Sequence, residues 1–309
     1  MDLSTTYLGL QLPHPLMSGA SPLVDDLDMV RRLEDAGAAA IVMHSLFEEQ
    51  IEGKRVPEAL LGPDAYLEQL GRIKRSVDVP VIASLNGTSL GGWLRYARLL
   101  QQAGADALEL NVYTVPTDAD ESAQAIEART IEMVRAVRAT VGVPLAVKLS
   151  PFYTSLAHFA RRLDEAGPEG LVLFNRFYQP GIDVEELGAQ SELRLSGASE
   201  LPLRLHWLAI LGPRLRASLA ASGGIHTVTD VVQAVMAGAH AVQLVAALLR
   251  AGPERLAALR MQLAEWLEGH GYHSLRDIQG KLSLVSCSDP QATERADYMR
   301  MLSGWGRWS

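Results

Sequence analysis

The chain has 309 residues, with 36 acidic against 28 basic side chains, a formal charge of −8 and one cysteine. No Lys or Arg block stands out, which argues against nucleic acid or an anionic membrane as a partner, and Cys287 alone excludes an internal disulfide or a Cys-cluster metal site. Met1 to Thr6 lack a basic region followed by an apolar one, and no uninterrupted apolar stretch is long enough to cross a bilayer, so a cytoplasmic protein is expected.

In chain order, Leu3 to Pro13 alternates Leu8, Leu10 and Leu12 with Gly9 and Gln11 before a proline stop, which predicts an N-terminal hairpin. Strand-like runs then occur near Pro15 to Gly19, Ala39 to Ser45, Pro80 to Leu85, Ala107 to Val112, Pro144 to Ser150, Gly170 to Asn175, Leu215 to Ser222 and Ala241 to Ala246. Helical spacing fills the intervals: Asp25 to Ala36, Asp64 to Ser76, Gly91 to Ala103, Ala123 to Thr140, Ser155 to Ala166, Leu203 to Leu211, Val228 to Ala237 and Pro253 to Glu268. Four helix-to-strand returns share one phrase, at Ala36-Gly37, Ala103-Gly104, Ala166-Gly167 and Ala237-Gly238, where glycine supplies a left-handed cap and small residues allow a tight entry into the next strand. Eight such units predict an α/β fold, a (β/α)8 TIM barrel with the hairpin covering its floor, in preference to an open doubly wound sheet.

Besides the hairpin, two stretches fall outside the repeat. Phe47 to Pro63 follows the second strand, and Arg176 to Leu201, carrying Pro180-Gly181, reads as a lobe inserted at the barrel top after the sixth. Residues 1–285 are thus expected to form the barrel with its lobe, about 176–201. Residues 286–309, with Tyr298, Trp305 and Trp308, form a tail packed on the barrel or on a partner.

Four strands finish on polar or glycine signatures: Leu108-Glu109-Leu110-Asn111, Ala146-Val147-Lys148-Leu149-Ser150, Val172-Leu173-Phe174-Asn175 and Ala221-Ser222-Gly223-Gly224-Ile225. The C-terminal strand ends of a β/α barrel carry its chemistry, so Asn, Lys, Asn and Gly-Gly converge on one mouth suited to a flat, anionic, hydrogen-bonding ligand. Each has a plainer reading. Lys148 could pair with a carboxylate such as Glu109, the asparagines could close the barrel top by bonding backbone, and Ser222-Gly223-Gly224 could be only a turn. The glycine pair at the seventh strand's exit, followed by a Thr227 cap, favours phosphate. No His, Asp or Glu spacing suggests a metal site.

The ordered set His14-Pro15-Leu16-Met17-Ser18-Gly19-Ala20-Ser21-Pro22, Ser84-Leu85-Asn86-Gly87, Glu109-Leu110-Asn111, Val147-Lys148-Leu149-Ser150-Pro151, Phe174-Asn175, Ser222-Gly223-Gly224-Ile225 and Gly280-Lys281-Leu282 resembles the dihydroorotate dehydrogenase family of FMN-containing β/α barrels, over nearly the whole chain. Of its classes the chain is most similar to the soluble one, since no membrane-binding helical extension precedes the barrel. The resemblance implies FMN as cofactor, a small-molecule substrate, an electron acceptor that the sequence does not identify, and, with the aromatic tail, a homodimer. By the same resemblance Ala20, Ser21 and Asn86 lie by the flavin. Asn111 and Asn175 bond both flavin site and planar substrate, and Lys148 holds negative charge on the reduced ring. Gly223 and Gly224 offer N–H groups to the phosphate, joined by the loop near Ala246 and Ala247, where barrels commonly hold phosphate.

The chain departs from the family pattern in the substrate half. The loop that carries a proton-accepting Cys or Ser in the family reads Asn111-Val112-Tyr113-Thr114-Val115-Pro116-Thr117, with Thr114 nearest that position. A threonine hydroxyl has no thiol-like acidity, so Thr114 needs a partner base, and Tyr113 is the other candidate. His44 replaces an expected lysine at the end of strand two, as a structural histidine or an acid or base. The loop around Ala59 to Gly62 is shortened, and Val245-Ala246 replace a Gly-Thr pair. Three functions follow: an FMN oxidoreductase acting on dihydroorotate or a related small cyclic substrate, a flavoprotein that has lost that chemistry and serves as an electron-transfer or interaction subunit, or a barrel lyase with Lys148 as a Schiff base.

Overall fold

The computed structural model describes residues 1–54, 61–87, 93–176, 181–190, 194–284 and 290–303. In chain order the elements are β1 (Thr5–Tyr7), β2 (Leu10–Leu12), β3 (Leu16–Ser18), α1 (Leu27–Asp35), β4 (Ile41–Phe47), α2 (Glu48–Ile51), α3 (Pro63–Lys74), β5 (Val81–Asn86), α4 (Trp93–Gln102), β6 (Ala107–Asn111), α5 (Ala123–Arg138), β7 (Leu145–Leu149), α6 (Leu156–Glu165), β8 (Gly170–Leu173), β9 (Gly181–Asp183), β10 (Gly188–Gln190), α7 (Leu201–Leu211), β11 (Ser218–Ser222), α8 (Val228–Ala237), β12 (Ala241–Leu244), α9 (Ala246–Ala251), α10 (Glu254–Gly269) and α11 (Pro290–Ser303). Eight strands close in the order β11-β12-β3-β4-β5-β6-β7-β8, all parallel. This is the expected (β/α)8 barrel.

The predicted returns explain why helix and strand alternate so regularly. Gly37, Gly104, Gly167 and Gly238 all have positive φ, and the next residue's N–H reaches back across the helix end in three of them: Ala38 to Leu33 O, Ala105 to Leu100 O and Ala239 to Ala234 O. This is the bond pattern of a left-handed helix stop, and Pro168, the fourth follower, has no N–H to give.

Period-2 alternation then divides each strand between two cores. Outward residues such as Leu85, Leu110, Val147, Leu173, Leu219 and Leu244 pack beneath the helices. Inward residues form layers fixed by register, with Ile82 beside Ala107, Ser84 beside Glu109 and Asn86 beside Asn111. The lowest layer is built largely of small side chains, Ala107, Ala146, Ala220 and Ala241, and the N-terminal hairpin fills the space they leave with Tyr7, Leu8 and Leu12. β1 and β2 pair antiparallel across a Leu8-Gly9 turn, and Ser218 Oγ and the His240 carbonyl anchor them to the barrel.

Some boundaries differ from expectation. The eighth barrel strand ends at Leu244, and Ala246 already belongs to α9. The lobe holds a two-stranded hairpin, β9 with β10. The helices α2, α9 and α11 had no counterpart in the periodicity. Tyr298 is exposed on α11, as are Met299 and Met301. Expectations resting on Ala59, Gly91, Pro180, Cys287, Trp305 and Trp308 lie outside the described residues.

Candidate active site

The layered barrel sets up the site from below. Lys148 on β7 extends into the lumen, where Nζ donates to Gln243 Oε1 at 2.9 Å and lies 3.5 Å from Glu109 Oε1. Gln243 completes the triangle, donating from Nε2 to Glu109 Oε2 at 2.6 Å. Glu109 and Gln243 are each 1% exposed. The plain pairing of Lys148 with Glu109 therefore exists, and it positions the ammonium at the base of a cleft.

That cleft, about 500 Å³, opens at the C-terminal strand ends, within the size range of cofactor sites. Ala20, Ser21, Asn86, Asn111, Tyr113, Lys148, Asn175, Gly223 and Ala246, together with His44, all line it. Asn175 uses Nδ2 on the carbonyls of Val112 (3.1 Å) and Lys148 (3.3 Å), tying the exits of β6 and β7 together. Asn111 Nδ2 donates to Ser45 Oγ, which contacts Ser84 Oγ at 2.8 Å. Ser21 Oγ and Asn111 Oδ1 are buried without a hydrogen-bond partner among the described residues. A buried polar atom in that condition costs free energy until something binds it.

His44 reaches the cleft because β4 is irregular: its register with β5 shifts between Val42 and Ser45, as strands commonly do where a side chain is re-aimed. Tyr66 fixes the irregularity, donating its hydroxyl to the His44 carbonyl at 2.7 Å and standing edge-on to the imidazole. His44 Nδ1 lies 2.8 Å from Asp25 Oδ1. Burial lowers the imidazole pKa, against the opposing pull of Asp25, so the ring is neutral at neutral pH. A proton on Nδ1, the nitrogen beside Asp25, would leave Nε2 as an acceptor.

Thr114, Gly224 and Ala247 stand apart from the cleft lining. Thr114 lines a separate hollow of about 90 Å³ with Val112, Ala123, Ile126 and Thr130. Gly224 turns back toward α7, its N–H donating to Ser196 Oγ at 3.2 Å, and Ala247 is buried in α9. Thr227 caps α8 by accepting from Asp230 N–H. Sequence reasoning missed Arg176 and Arg204, both in the cleft wall, and the Gln243 bridge. Arg204 had left a signal: with Leu201, Leu208 and Leu211 it occupies the buried stripe of α7 at helical spacing, so a cation stands where an apolar side chain is expected.

Among the described residues no His, Cys, Asp and Glu group could hold a metal ion, and no helix is long and apolar enough to cross a membrane. The cleft wall contains Lys148, Arg176 and Arg204 and no Asp or Glu among those residues, in a chain of net charge −8.

Comparison with known proteins accords with this architecture. The dihydroorotate dehydrogenase family model matches residues 3–267. The chain is 29% identical over 300 residues to a putative dihydroorotate dehydrogenase A (fumarate) of Aeropyrum pernix, covering 90% of this chain and 97% of that protein. It is 26% identical to the dihydroorotate dehydrogenase B (NAD(+)) catalytic subunit of Thermoplasma acidophilum, at 90% and 98% coverage. It is also 24% identical to the NAD-dependent dihydropyrimidine dehydrogenase subunit PreA of Escherichia coli, at 90% and 76%. The match spans the barrel strands from first to last, so the chain belongs to the dihydroorotate dehydrogenase family, whose members are oxidoreductases acting on CH–CH bonds.

Proposed function

We propose that the protein is an FMN-dependent oxidoreductase that takes two electrons from dihydroorotate or a related small cyclic acid or amide. The observation that carries this reading is the single cleft into which Asn86, Asn111, Lys148, Asn175 and Gly223 all open, lined by three cations and no carboxylate among the described residues. The orphaned Ser21 Oγ and Asn111 Oδ1 fit a hydrogen-bonding ligand there. When bound, FMN supplies the hydride acceptor.

The chain's own residues do the rest. Lys148, held by Gln243 and Glu109, presents a positive charge at the cleft base that would stabilise negative charge on a reduced flavin bound there. Its hydrogen bond to Gln243 and its nearness to Glu109 suit that electrostatic role better than attack on a carbonyl, so the Schiff-base reading has less support. Asn111 and Asn175 orient the planar substrate, and Asn175 also keeps the strand exits closed. The proton leaving the substrate carbon goes to a cleft-lining group, His44 Nε2 or the Tyr113 oxygen, in preference to Thr114 in its separate hollow. In the same reading the chain works as a cytoplasmic homodimer, and a separate protein or small molecule removes the electrons.

The reading is tested by identifying the cofactor in the purified protein and screening dihydroorotate and dihydropyrimidines anaerobically for flavin bleaching. Bleaching by one of them is expected. A yellow protein that none bleaches would favour the subunit that has lost this chemistry, for which the absence of a Cys or Ser at Thr114 speaks. A colourless protein that binds no added flavin would refute the proposal.

A further inference from the structure

We propose that Arg204 is a direct ligand of a phosphate monoester at the β11 end of the cleft, so that this end is a charged anion site and not a backbone nest alone. The inference rests on the flavin reading for the identity of the phosphate's bearer. It stands on the geometry for the charge.

Arg204 is 5% exposed, yet lines the cleft. Two of its nitrogens hold backbone: Nε donates to the Ser222 carbonyl at 2.9 Å and Nη1 to the Glu200 carbonyl at 2.7 Å. These bonds clamp the plane of the guanidinium against the start of the Ser222-Gly223 turn. Its third nitrogen, Nη2, is the one nearest Gly223, 3.0 Å from where a Cβ on that residue would stand. A Cβ at 223 would press on the guanidinium, so the turn lies this close against Arg204 only because residue 223 is glycine, and Nη2 stays beside the turn's backbone. The Gly224 N–H, expected to serve an anion, is already given to Ser196 Oγ. The fixed guanidinium takes over through Nη2, a charge-assisted donor held in place by the bonds of its other two nitrogens.

The counter-charge is internal. Glu200 lies between two guanidinium groups, with Oε1 3.0 Å from Arg176 Nη1 and Oε2 3.6 Å from Arg204 Nη2. Two arginines against one carboxylate leave a net positive charge at this end. Glu200 competes with an incoming anion for Arg204, so removing its charge strengthens anion binding, whereas removing Arg204 weakens it. A purely structural arginine predicts no such opposition of sign.

The test strips flavin from the whole protein and titrates it with FMN and with riboflavin, which lacks the phosphate, following flavin fluorescence. Arg204→Met is expected to weaken FMN binding by about ten- to a hundredfold, the range of a charge-assisted hydrogen bond, and to leave riboflavin binding unchanged. Arg204→Lys falls between, and Glu200→Gln tightens FMN alone. Equal weakening of both flavins in Arg204→Met, or FMN binding unaffected by it, overturns the assignment. If the parent takes neither flavin, the proposed function fails, and inorganic phosphate decides the subsite. A rise in melting temperature over chloride at matched ionic strength, present in the parent and absent in Arg204→Met, supports it. No such difference refutes it.

Discussion

Lys148→Met removes the cation from the buried triangle and leaves Glu109 facing only Gln243. At the 3.5 Å separation seen here, the attraction of two unit charges is about 5 kcal/mol at an effective dielectric of about 20. Breaking a buried pair on one side typically costs about 3–5 kcal/mol, because the partner's charge stays in the interior. We expect a loss in that range for Lys148→Met and a comparable one for Glu109→Gln, which leaves the ammonium with the neutral Gln243 oxygen and no counter-charge in the triangle. The double variant removes both charges and keeps similar volumes, so it should be more stable than the sum of the singles implies, by at least about 2 kcal/mol. Urea unfolding of the four proteins, followed by circular dichroism and tryptophan fluorescence, measures this, with coincident transitions as the check on two-state behaviour. Singles within about 0.5 kcal/mol of the parent and an additive double would refute the reasoning, and the triangle would then be a hydrogen-bond cluster with no electrostatic coupling.

Three further outcomes are expected. His14 is 3% exposed, and burial, reinforced by Arg260, lowers its pKa from 6.5 to about 4. The unfolded chain therefore binds the extra proton first, and stability falls by about 3 kcal/mol as pH drops from 6.5 to about 4; urea midpoints across that window should show a shallower slope in His14→Asn. Gly224→Val should lower stability by at least about 2 kcal/mol, because φ is +81° and its Cβ would stand 2.6 Å from the Leu201 backbone nitrogen; an unchanged melting temperature would contradict this. Given a bleaching substrate, Thr114→Ala should leave the anaerobic reduction rate near that of the parent. His44→Gln should cut it by about two to four orders of magnitude if His44 is the proton acceptor, and the reverse pattern would return that role to the Thr114 loop.

The barrel was legible because its signals are local. Apolar runs of strand length, the four Ala-Gly returns and the proline-stopped hairpin each have a short-range cause, and all eight barrel strands fall within their predicted runs or beyond them by a residue or two. The strand-end residues were legible for the same reason, since an exit of a barrel strand faces the mouth whatever the rest does. What was missed depends on separation. Gln243 meets Glu109 across 134 residues, and nothing near either names the partner. His44 belongs to the cleft through a register shift that no propensity announces. The strand ends alone also left out a packing reason for glycine at Gly224. Its neighbour in space is the Leu201 backbone at the start of α7, a close approach set by how that helix docks.

The floor hairpin has a consequence for how the chain is made. Tyr7, Leu8 and Leu12 are synthesised before the barrel strands, but the groups that hold their hairpin lie far downstream, Ser218 Oγ 210 residues after Leu8 and the His240 carbonyl 235 residues after Thr5. The cylinder itself closes only when β12 pairs with β3. During synthesis the nascent chain therefore carries an apolar plug without a socket and a sheet with two raw edges, a state prone to join other chains. Closure and plugging then depend on the same late stretch, residues 218 to 244. A chain stopped before that stretch is a poor candidate for a stable fragment, and an extension fused at the amino terminus must leave the hairpin free to seat last.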